Sequence, residues 1–301
     1  MREVIIITGP TCVGKTALSL KLAEECGGEI ISCDSVQVYR HADIGSAKPD
    51  AAELARVKHH LIDVAEPSEV FDVARYVELA KAAFDDISAR GKKVVVVGGS
   101  GFYLKSWFCA VADNVTIPPE IRAFTEDLER VGGAEALARE LLKVDPNAAS
   151  ALDINNPRRT KNALERCLAT GKSVMRLRED FAALPCPMGD DFSRRVILLN
   201  LPDNELLERI KLRTRKMFEL GLIDETKKLI ELGIERNPPL RNSVGYKQVI
   251  EFIKSGASDV GKLEADIITQ THSLVRKQLK IARACASQSS SFKIHLKIFP
   301  R

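Results

Sequence analysis

Short apolar runs alternate with amphipathic stretches through the N-terminal third of the chain. The runs at 4–7, 29–33 and 94–97 are typical of buried strands, and the last is an unbroken run of valine. Between them, apolar residues at steps of three and four predict helices over 17–23 and 71–90. Because strands that alternate with helices form parallel sheets with right-handed crossovers, this pattern predicts an α/β core.

The pattern changes between residues 118 and 187, where apolar residues are spaced helically and no branched strand run occurs. Strand character returns at 195–201, which would rejoin the sheet. We therefore predict a helical domain over 118–187, inserted into a core domain made of 1–117 and 188–301. Weaker patterns predict further helices over 205–220, 224–232 and 264–286, and short strands over 59–64 and 292–299.

A phosphate-binding pattern lies directly between the first strand and the first helix. The segment from Gly9 to Thr16 fits G-x-x-x-x-G-K-[ST], whose backbone amides surround a di- or triphosphate while Lys15 neutralises it and Thr16 reaches Mg²⁺. The strand before and the helix after supply the context that the motif requires. The core is therefore predicted to be a P-loop sheet like that of the nucleotide kinases. The candidate phosphate ligands are Gly9, Pro10, Thr11, Cys12, Val13, Gly14, Lys15 and Thr16.

Composition narrows the class of protein without identifying it. With 45% hydrophobic and 29% charged residues, the 301-residue chain has ordinary globular composition. Its seven cysteines are scattered and form no C-x-x-C pair, which argues against a disulfide framework and a zinc site. No signal sequence and no apolar run near ~18 residues are apparent, so we expect a cytoplasmic protein without a membrane segment. Separately, we expect it to be a monomer.

Two polar segments follow predicted strands at the sheet edge where the phosphate loop lies. Asp34 follows the second strand and could hold Mg²⁺ through water or accept a proton from a nucleophile. Ser100 lies in the turn Gly98-Gly99-Ser100-Gly101, which either brings a substrate close to the backbone or only ends the strand. The adjacent His59 and His60 are interpreted as structural, because neighbouring strand side chains point to opposite faces.

Basic residues are concentrated in two segments, and either a polyanion site or a solvated helix face would explain them. The first comprises Arg158, Arg159, Lys161, Arg166, Lys172, Arg176 and Arg178, and the second Arg209, Lys211, Arg213, Arg215 and Lys216.

Taken together, the motifs resemble those of the tRNA dimethylallyltransferases, also called tRNA isopentenyltransferases. The likeness runs almost end to end, through GPTCVGKT, EIISCDSVQVYR, IGSAKP, HHLIDV, VVVGGSGFYLKS, DINNPRRTKNALERCLATGKS, NSVGYKQVI and TQTHSLVRKQL.

This resemblance implies transfer of a dimethylallyl group from dimethylallyl diphosphate to the N6 amine of the adenine 3′-adjacent to the anticodon, with Mg²⁺ bound at Thr16. In that reaction the phosphate loop would hold the diphosphate leaving group, assisted by Lys15 and Arg213. Asp34 would accept the amine proton and Ser100 would contact the adenosine. The resemblance further implies that the tRNA anticodon stem-loop contacts Asp34, Ser35, Val36, Gln37, Ser100, Arg122, Arg158, Arg159, Thr160, Lys161 and Asn162.

The chain departs from the family pattern at several positions. Val36 and Asn162 stand where arginine is common, and His272 replaces another arginine. Cys12-Val13 replaces a small Ala-Ser pair, and Lys280-Ile281 replaces a Thr-Trp pair. Two other enzymes would share the phosphate loop: an isopentenyltransferase acting on free adenine nucleotides, and an ATP-dependent small-molecule kinase. A non-catalytic nucleotide-dependent switch or RNA-binding module is the remaining alternative, which would leave Asp34 and Ser100 beside the loop unexplained.

Overall fold

A parallel β-sheet forms the centre of one of the two compact units of the chain. The structure is a computed structural model that describes residues 2–287 and 291–293. Its strands are β1 (Arg2–Thr8), β2 (Glu29–Cys33), β3 (His59–His60), β4 (Val94–Gly98), β5 (Phe192–Leu198) and β6 (Ser291–Lys293). Over these described residues the sheet order is β3-β2-β4-β1-β5-β6, and every pair is parallel.

The described helices are α1 (Lys15–Cys26), α2 (Ala51–Arg56), α3 (Val73–Ala89), α4 (Gly101–Lys105), α5 (Pro119–Val144), α6 (Ala148–Ala151), α7 (Pro157–Thr170), α8 (Val174–Ala182), α9 (Asp203–Glu219), α10 (Leu222–Glu231), α11 (Pro238–Arg241), α12 (Tyr246–Ser255) and α13 (Val260–Ala286). A short 3₁₀ helix spans Ile234–Arg236.

The chain forms two compact units, Met1–Phe108 with Cys186–Arg301, and Cys109–Pro185. The first contains the sheet. In its central strand β1, Val4 and Ile6 are fully buried in one apolar cluster, while Ile5 and Ile7 belong to a second cluster that includes Leu20 of α1. Helices thus cover both faces of the sheet, which explains why its strands read as continuous apolar runs.

The second unit is helical and has its own apolar core. Helix α5 is interrupted at Gly133, whose φ of 61° and ψ of −153° are not helical, so its two halves run in different directions. Leu141 of α5, Leu164 of α7 and Val174 of α8 are buried together in one apolar cluster. The amphipathic pattern that predicted helices here follows from this shared core.

Some predicted strands differ in extent from the observed ones. The strand predicted over 59–64 is only His59–His60, because Leu61 and Asp63 have left-handed φ values of 63° and 56° that end it. The strand predicted over 195–201 runs instead over Phe192–Leu198. Most of the strand predicted over 292–299 lies outside the described residues.

Candidate active site

The phosphate loop joins β1 to α1 along a sharply turned backbone. Gly9 has a φ of 143°, and a Cβ there would lie 2.3 Å from the carbonyl oxygen of Leu199. Gly14 has a φ of 90° and precedes α1, whose N-terminus is capped by no side chain among the described residues. The first amides of α1 therefore stay available for an anion, which the helix dipole also favours.

Lys15 bends back over this loop. Its Nζ donates to the carbonyl oxygens of Gly9 at 3.0 Å and Pro10 at 2.6 Å. Desolvation lowers the pKa of Lys15 from 10.5 to about 8, with Asp34 raising it and Arg213 lowering it further. A bound anion would favour the charged lysine and raise that pKa again.

A second cation reaches the loop from α9. Arg213 Nη1 donates to Thr11 Oγ1 at 2.5 Å and lies 3.8 Å from Cys12 Sγ. Lys15 and Arg213 thus bring two cations to a loop whose backbone amides can bind a phosphate.

Asp34 and Ser100 follow the ends of two neighbouring strands, since Cys33 of β2 pairs in register with Gly98 of β4. Asp34 Oδ1 accepts from the backbone N–H groups of Val36 at 2.8 Å and Gln37 at 3.3 Å. Within the described residues Oδ2 has no hydrogen-bond partner. One carboxylate oxygen therefore fixes the side chain, and the other can accept a proton from a ligand.

A cavity of about 410 Å³ connects the phosphate loop with this carboxylate. Its lining includes Thr11 and Arg213 of the phosphate site together with Asp34 and Ser100. Its volume is in the range of small-molecule sites. An anionic leaving group and a proton acceptor thus face the same space.

A smaller cavity beside it contains the candidate metal ligands. Thr16 and Asp34 line it together with Ser32 and Gln37, so hydroxyl, carboxylate and amide oxygens are all present. The described residues contain no group of three or more His, Cys, Asp or Glu arranged to hold a metal. This donor set fits Mg²⁺, which takes oxygen ligands, keeps several waters and is commonly completed by substrate phosphates.

Helix α13 packs over both glycine-rich turns. The N–H of Thr11 donates to Gln278 Oε1 at 2.9 Å. A Cβ at Gly99 would lie 3.0 Å from Gln278 Nε2, and one at Gly101 would lie 2.6 Å from Ile281 Cδ1. The sequence pattern places Gln278 in the helix predicted over 264–286 but does not indicate its contact with the phosphate loop, which is 267 positions away.

Other sequence candidates of the sheet unit have structural partners. Gln37 Oε1 accepts from Ser32 Oγ at 3.1 Å, and Ser35 and Val36 line the large cavity. His60 Nε2 lies 2.8 Å from Glu29 Oε2, and His272 Nε2 lies 2.8 Å from Asp203 Oδ1.

The candidate RNA ligands of the helical unit differ in availability. Arg122, Arg158 and Arg159 are exposed and have no ion-pair partner among the described residues. Thr160 is fully buried, and its hydroxyl donates to the carbonyl oxygen of Ile154 at 2.9 Å. Its side chain therefore fixes the start of α7 and does not face solvent.

The first basic segment is neutralised in part by acidic residues distant in sequence. Lys161 pairs with Glu129 at 2.7 Å, and Arg166 pairs with Asp113 at 2.6 Å. Asn162 is exposed beside Arg166. The role of this unit in binding RNA stays a prediction.

A family model described as IPP transferase matches residues 37–284 of this chain. The chain belongs to the IPP transferase family. It is 42% identical to a tRNA dimethylallyltransferase of Opitutus terrae over 91% of this chain and 87% of the relative. A tRNA dimethylallyltransferase of a Roseiflexus species is 41% identical, over 92% and 89%. Family membership confirms the resemblance that the motifs indicated and identifies the chain as a transferase.

Solved structures support the fold. The tRNA isopentenylpyrophosphate transferase of Bacillus halodurans has a TM-score of 0.65 at 34% identity, over 94% of this chain and 86% of that one. A eukaryotic dimethylallyltransferase crystallised acting on tRNA has a TM-score of 0.79 at 27% identity, over 93% and 69%. The predicted P-loop α/β fold class is therefore confirmed. No described helix has the length and apolar character needed to cross a bilayer.

Proposed function

We propose that this protein transfers a dimethylallyl group from dimethylallyl diphosphate to the N6 amine of the adenine 3′-adjacent to the anticodon of tRNA. One observation carries the proposal: the same cavity is lined by Arg213 beside the phosphate loop, called its cationic end here, and by the carboxylate of Asp34, called its acidic end. The names of the relatives, tRNA dimethylallyltransferases, favour this acceptor over a free nucleotide and over the kinase reaction.

At the cationic end, the allylic C–O bond of the donor breaks and its electron pair passes to the diphosphate. The loop amides, Lys15 and Arg213 would stabilise that negative charge as it develops. The Thr16 hydroxyl would hold Mg²⁺, which would supply further charge neutralisation when bound.

At the acidic end, the N6 nitrogen bonds the allylic carbon and loses one proton. Asp34 Oδ2 is the acceptor we assign to that proton, while Oδ1 stays bonded to the N–H of Val36. Because an aryl amine is a weak nucleophile, orientation of the base against the donor carbon contributes at least as much as basicity. Ser100, which lines the cavity beside Asp34, would help orient the adenosine.

The acceptor base must leave the anticodon stack to enter the cavity, at a cost of a few kcal/mol. Contacts from the exposed Arg122, Arg158 and Arg159 to loop phosphates would offset that cost. We further propose that the protein acts as a cytoplasmic monomer.

The decisive experiment incubates the purified protein with labelled dimethylallyl diphosphate, Mg²⁺ and either tRNA or AMP. We expect label in tRNA, none in AMP, and no requirement for ATP. Asp34→Asn is the matched control, because it keeps the shape of the side chain and removes the proton acceptor. Label in AMP alone would identify an adenylate isopentenyltransferase, and phosphate transfer from ATP would identify a kinase.

A further inference from the structure

A carboxylate that takes no part in the proposed reaction accepts hydrogen bonds from a loop that lines the cavity. Glu225 lies in the first turn of α10 and accepts hydrogen bonds from consecutive backbone N–H groups of the 43–45 loop. Its Oε2 accepts from Asp43 at 2.9 Å and Ile44 at 2.7 Å, and its Oε1 accepts from Gly45 at 2.9 Å. Charged acceptors make the stronger class of hydrogen bond, so this one side chain fixes the path of the loop.

Tyr246, the first residue of α12, completes the arrangement. Its hydroxyl donates to Glu225 Oε1 at 2.7 Å, so each carboxylate oxygen accepts two hydrogen bonds. The tyrosine is fully buried, and a Cβ at Gly45 would lie 2.5 Å from its ring. The ring therefore packs directly on the loop that the carboxylate holds.

The 43–45 loop and the segment that leads to Tyr246 both contribute residues to the lining of the cavity. Gly45 and Ser46 line it, and so do Asn242, Ser243 and Val244, which lead to Tyr246. Just after this loop, the carbonyl oxygen of Ala47 accepts from Gln37 Nε2 at 3.3 Å, and the backbone N–H of Gln37 donates to Asp34 Oδ1. The groups that hold phosphate, in contrast, make no hydrogen bond to Glu225 or Tyr246 within the described residues.

We propose that Glu225, acting through the 43–45 loop and Tyr246, is a positioning residue that sets the spacing of the cavity walls around the acceptor base. This inference rests on the proposed function. It assigns Glu225 no contact with substrate. A glutamine at this position would direct an amide NH₂ toward N–H or O–H donors, so the arrangement of four hydrogen bonds could not be kept.

The test compares Glu225→Gln with Asp224→Asn, a matched control on the same turn. The Asp224 side chain is 81% exposed, and its ion-pair partner among the described residues is Lys227. Hydrogen exchange of the 43–46 amides and separate kinetics for each substrate are measured. For Glu225→Gln we expect exchange in this loop to accelerate and kcat/KM for tRNA to fall ~10- to 100-fold, as small misplacements of reacting groups do. The KM for dimethylallyl diphosphate should change by less than a factor of about three, since the substitution leaves the contacts that bind the diphosphate at the phosphate loop unchanged.

Unchanged tRNA kinetics in Glu225→Gln, or an equal rise in both KM values, would overturn the inference. If that variant does not fold, Tyr246→Phe is used instead, because it removes one hydrogen bond and keeps the ring on Gly45. A smaller loss confined to tRNA kinetics would support the inference. Unchanged tRNA kinetics in Tyr246→Phe would overturn it. Failure of the proposed function is a separate result, seen when wild-type protein does not label tRNA. The same comparison is then made with the acceptor that wild type does label, while hydrogen exchange reports on the loop without any activity.

Discussion

Ser100 Oγ accepts a hydrogen bond from the backbone N–H of Ser35 at 2.8 Å and donates to Ser35 Oγ at 3.0 Å. This pair joins the turn after β4 to the residue that follows Asp34. A hydroxyl at position 100 therefore fixes the backbone that presents the proposed base, in addition to any contact with the adenosine.

Replacing this hydroxyl should separate its role from simple turn formation. We expect Ser100→Ala to lower kcat by ~10-fold or more, because the N–H of Ser35 loses its acceptor and the carboxylate loses its fixed position. Ser100→Thr keeps the hydroxyl and should retain most of the activity. Steady-state kinetics with tRNA measure both variants, and full turnover by Ser100→Ala would show that the hydroxyl is dispensable.

Arg213 should act on the donor and not on the acceptor. Arg213→Ala removes a guanidinium bonded to Thr11, so we expect a loss of ~10²-fold in kcat/KM for dimethylallyl diphosphate. Arg215→Ala is the matched control on α9, since its side chain is 67% exposed. Equal kinetics for the two variants would contradict a role of Arg213 at the leaving group.

The lowered pKa of Lys15 predicts a pH dependence of anion binding. Because the free protein has a pKa of about 8 at this lysine and a bound anion raises it, affinity for inorganic diphosphate should fall as pH rises above about 8. Binding near pH 8 should also take up a proton, which calorimetry in buffers of different ionisation enthalpy detects. In Lys15→Arg the guanidinium stays charged, so only titration of the diphosphate itself remains. An identical pH profile in that variant would refute the assignment.

Stability should depend on Glu29, at the opposite end of β2 from Asp34. Its carboxylate is 2% exposed and contacts Arg90, Lys92 and His60. These contacts, the hydrogen bond from Arg90 above all, hold the pKa of Glu29 well below its ordinary value. Glu29→Gln should cost about 2–4 kcal/mol of unfolding free energy at pH 7, because a buried pair loses one partner while the cations remain partly hydrated.

The pH dependence of this loss follows from the direction of the shift. Since the folded-state pKa is depressed, the stabilisation is complete above the ordinary value of 4.5 and declines as pH falls below it. Urea unfolding between pH 3 and 7 should show wild type and Glu29→Gln converging in acid. Glu24→Gln removes a solvent-exposed contact to Arg56 and should differ only slightly from wild type throughout. A gap between wild type and Glu29→Gln that stays constant with pH would contradict this account.

The sequence predicted those site residues whose positions follow from the strand that precedes them. The phosphate loop, Asp34 and Ser100 each lie directly after a strand, so the order of strands along the chain places them at one sheet edge. Gln278 and Glu225 reach the same region across 267 and 182 positions of sequence, and no local spacing indicates such partners.

The prediction of a polyanion site from charge along the sequence was also limited to local information. Lys161 and Arg166 belong to a basic run when only neighbouring residues are considered. The fold brings Glu129 and Asp113 to them from other segments. Net charge along a segment is a sum over neighbours in sequence, whereas neutralisation depends on neighbours in space.

This difference in pairing predicts which basic residues contribute to RNA affinity. Arg158 and Arg159 are exposed at the N-terminus of α7, while Lys161 on the same helix is already bound to Glu129. Replacing both arginines by alanine should reduce the slope of log affinity for tRNA against log salt by about one to two units, because each phosphate contact releases condensed counterions. Lys161→Ala should change the slope less than either single arginine variant. Filter binding at several salt concentrations measures all of them, and an unchanged slope in the double variant would place the RNA on another surface.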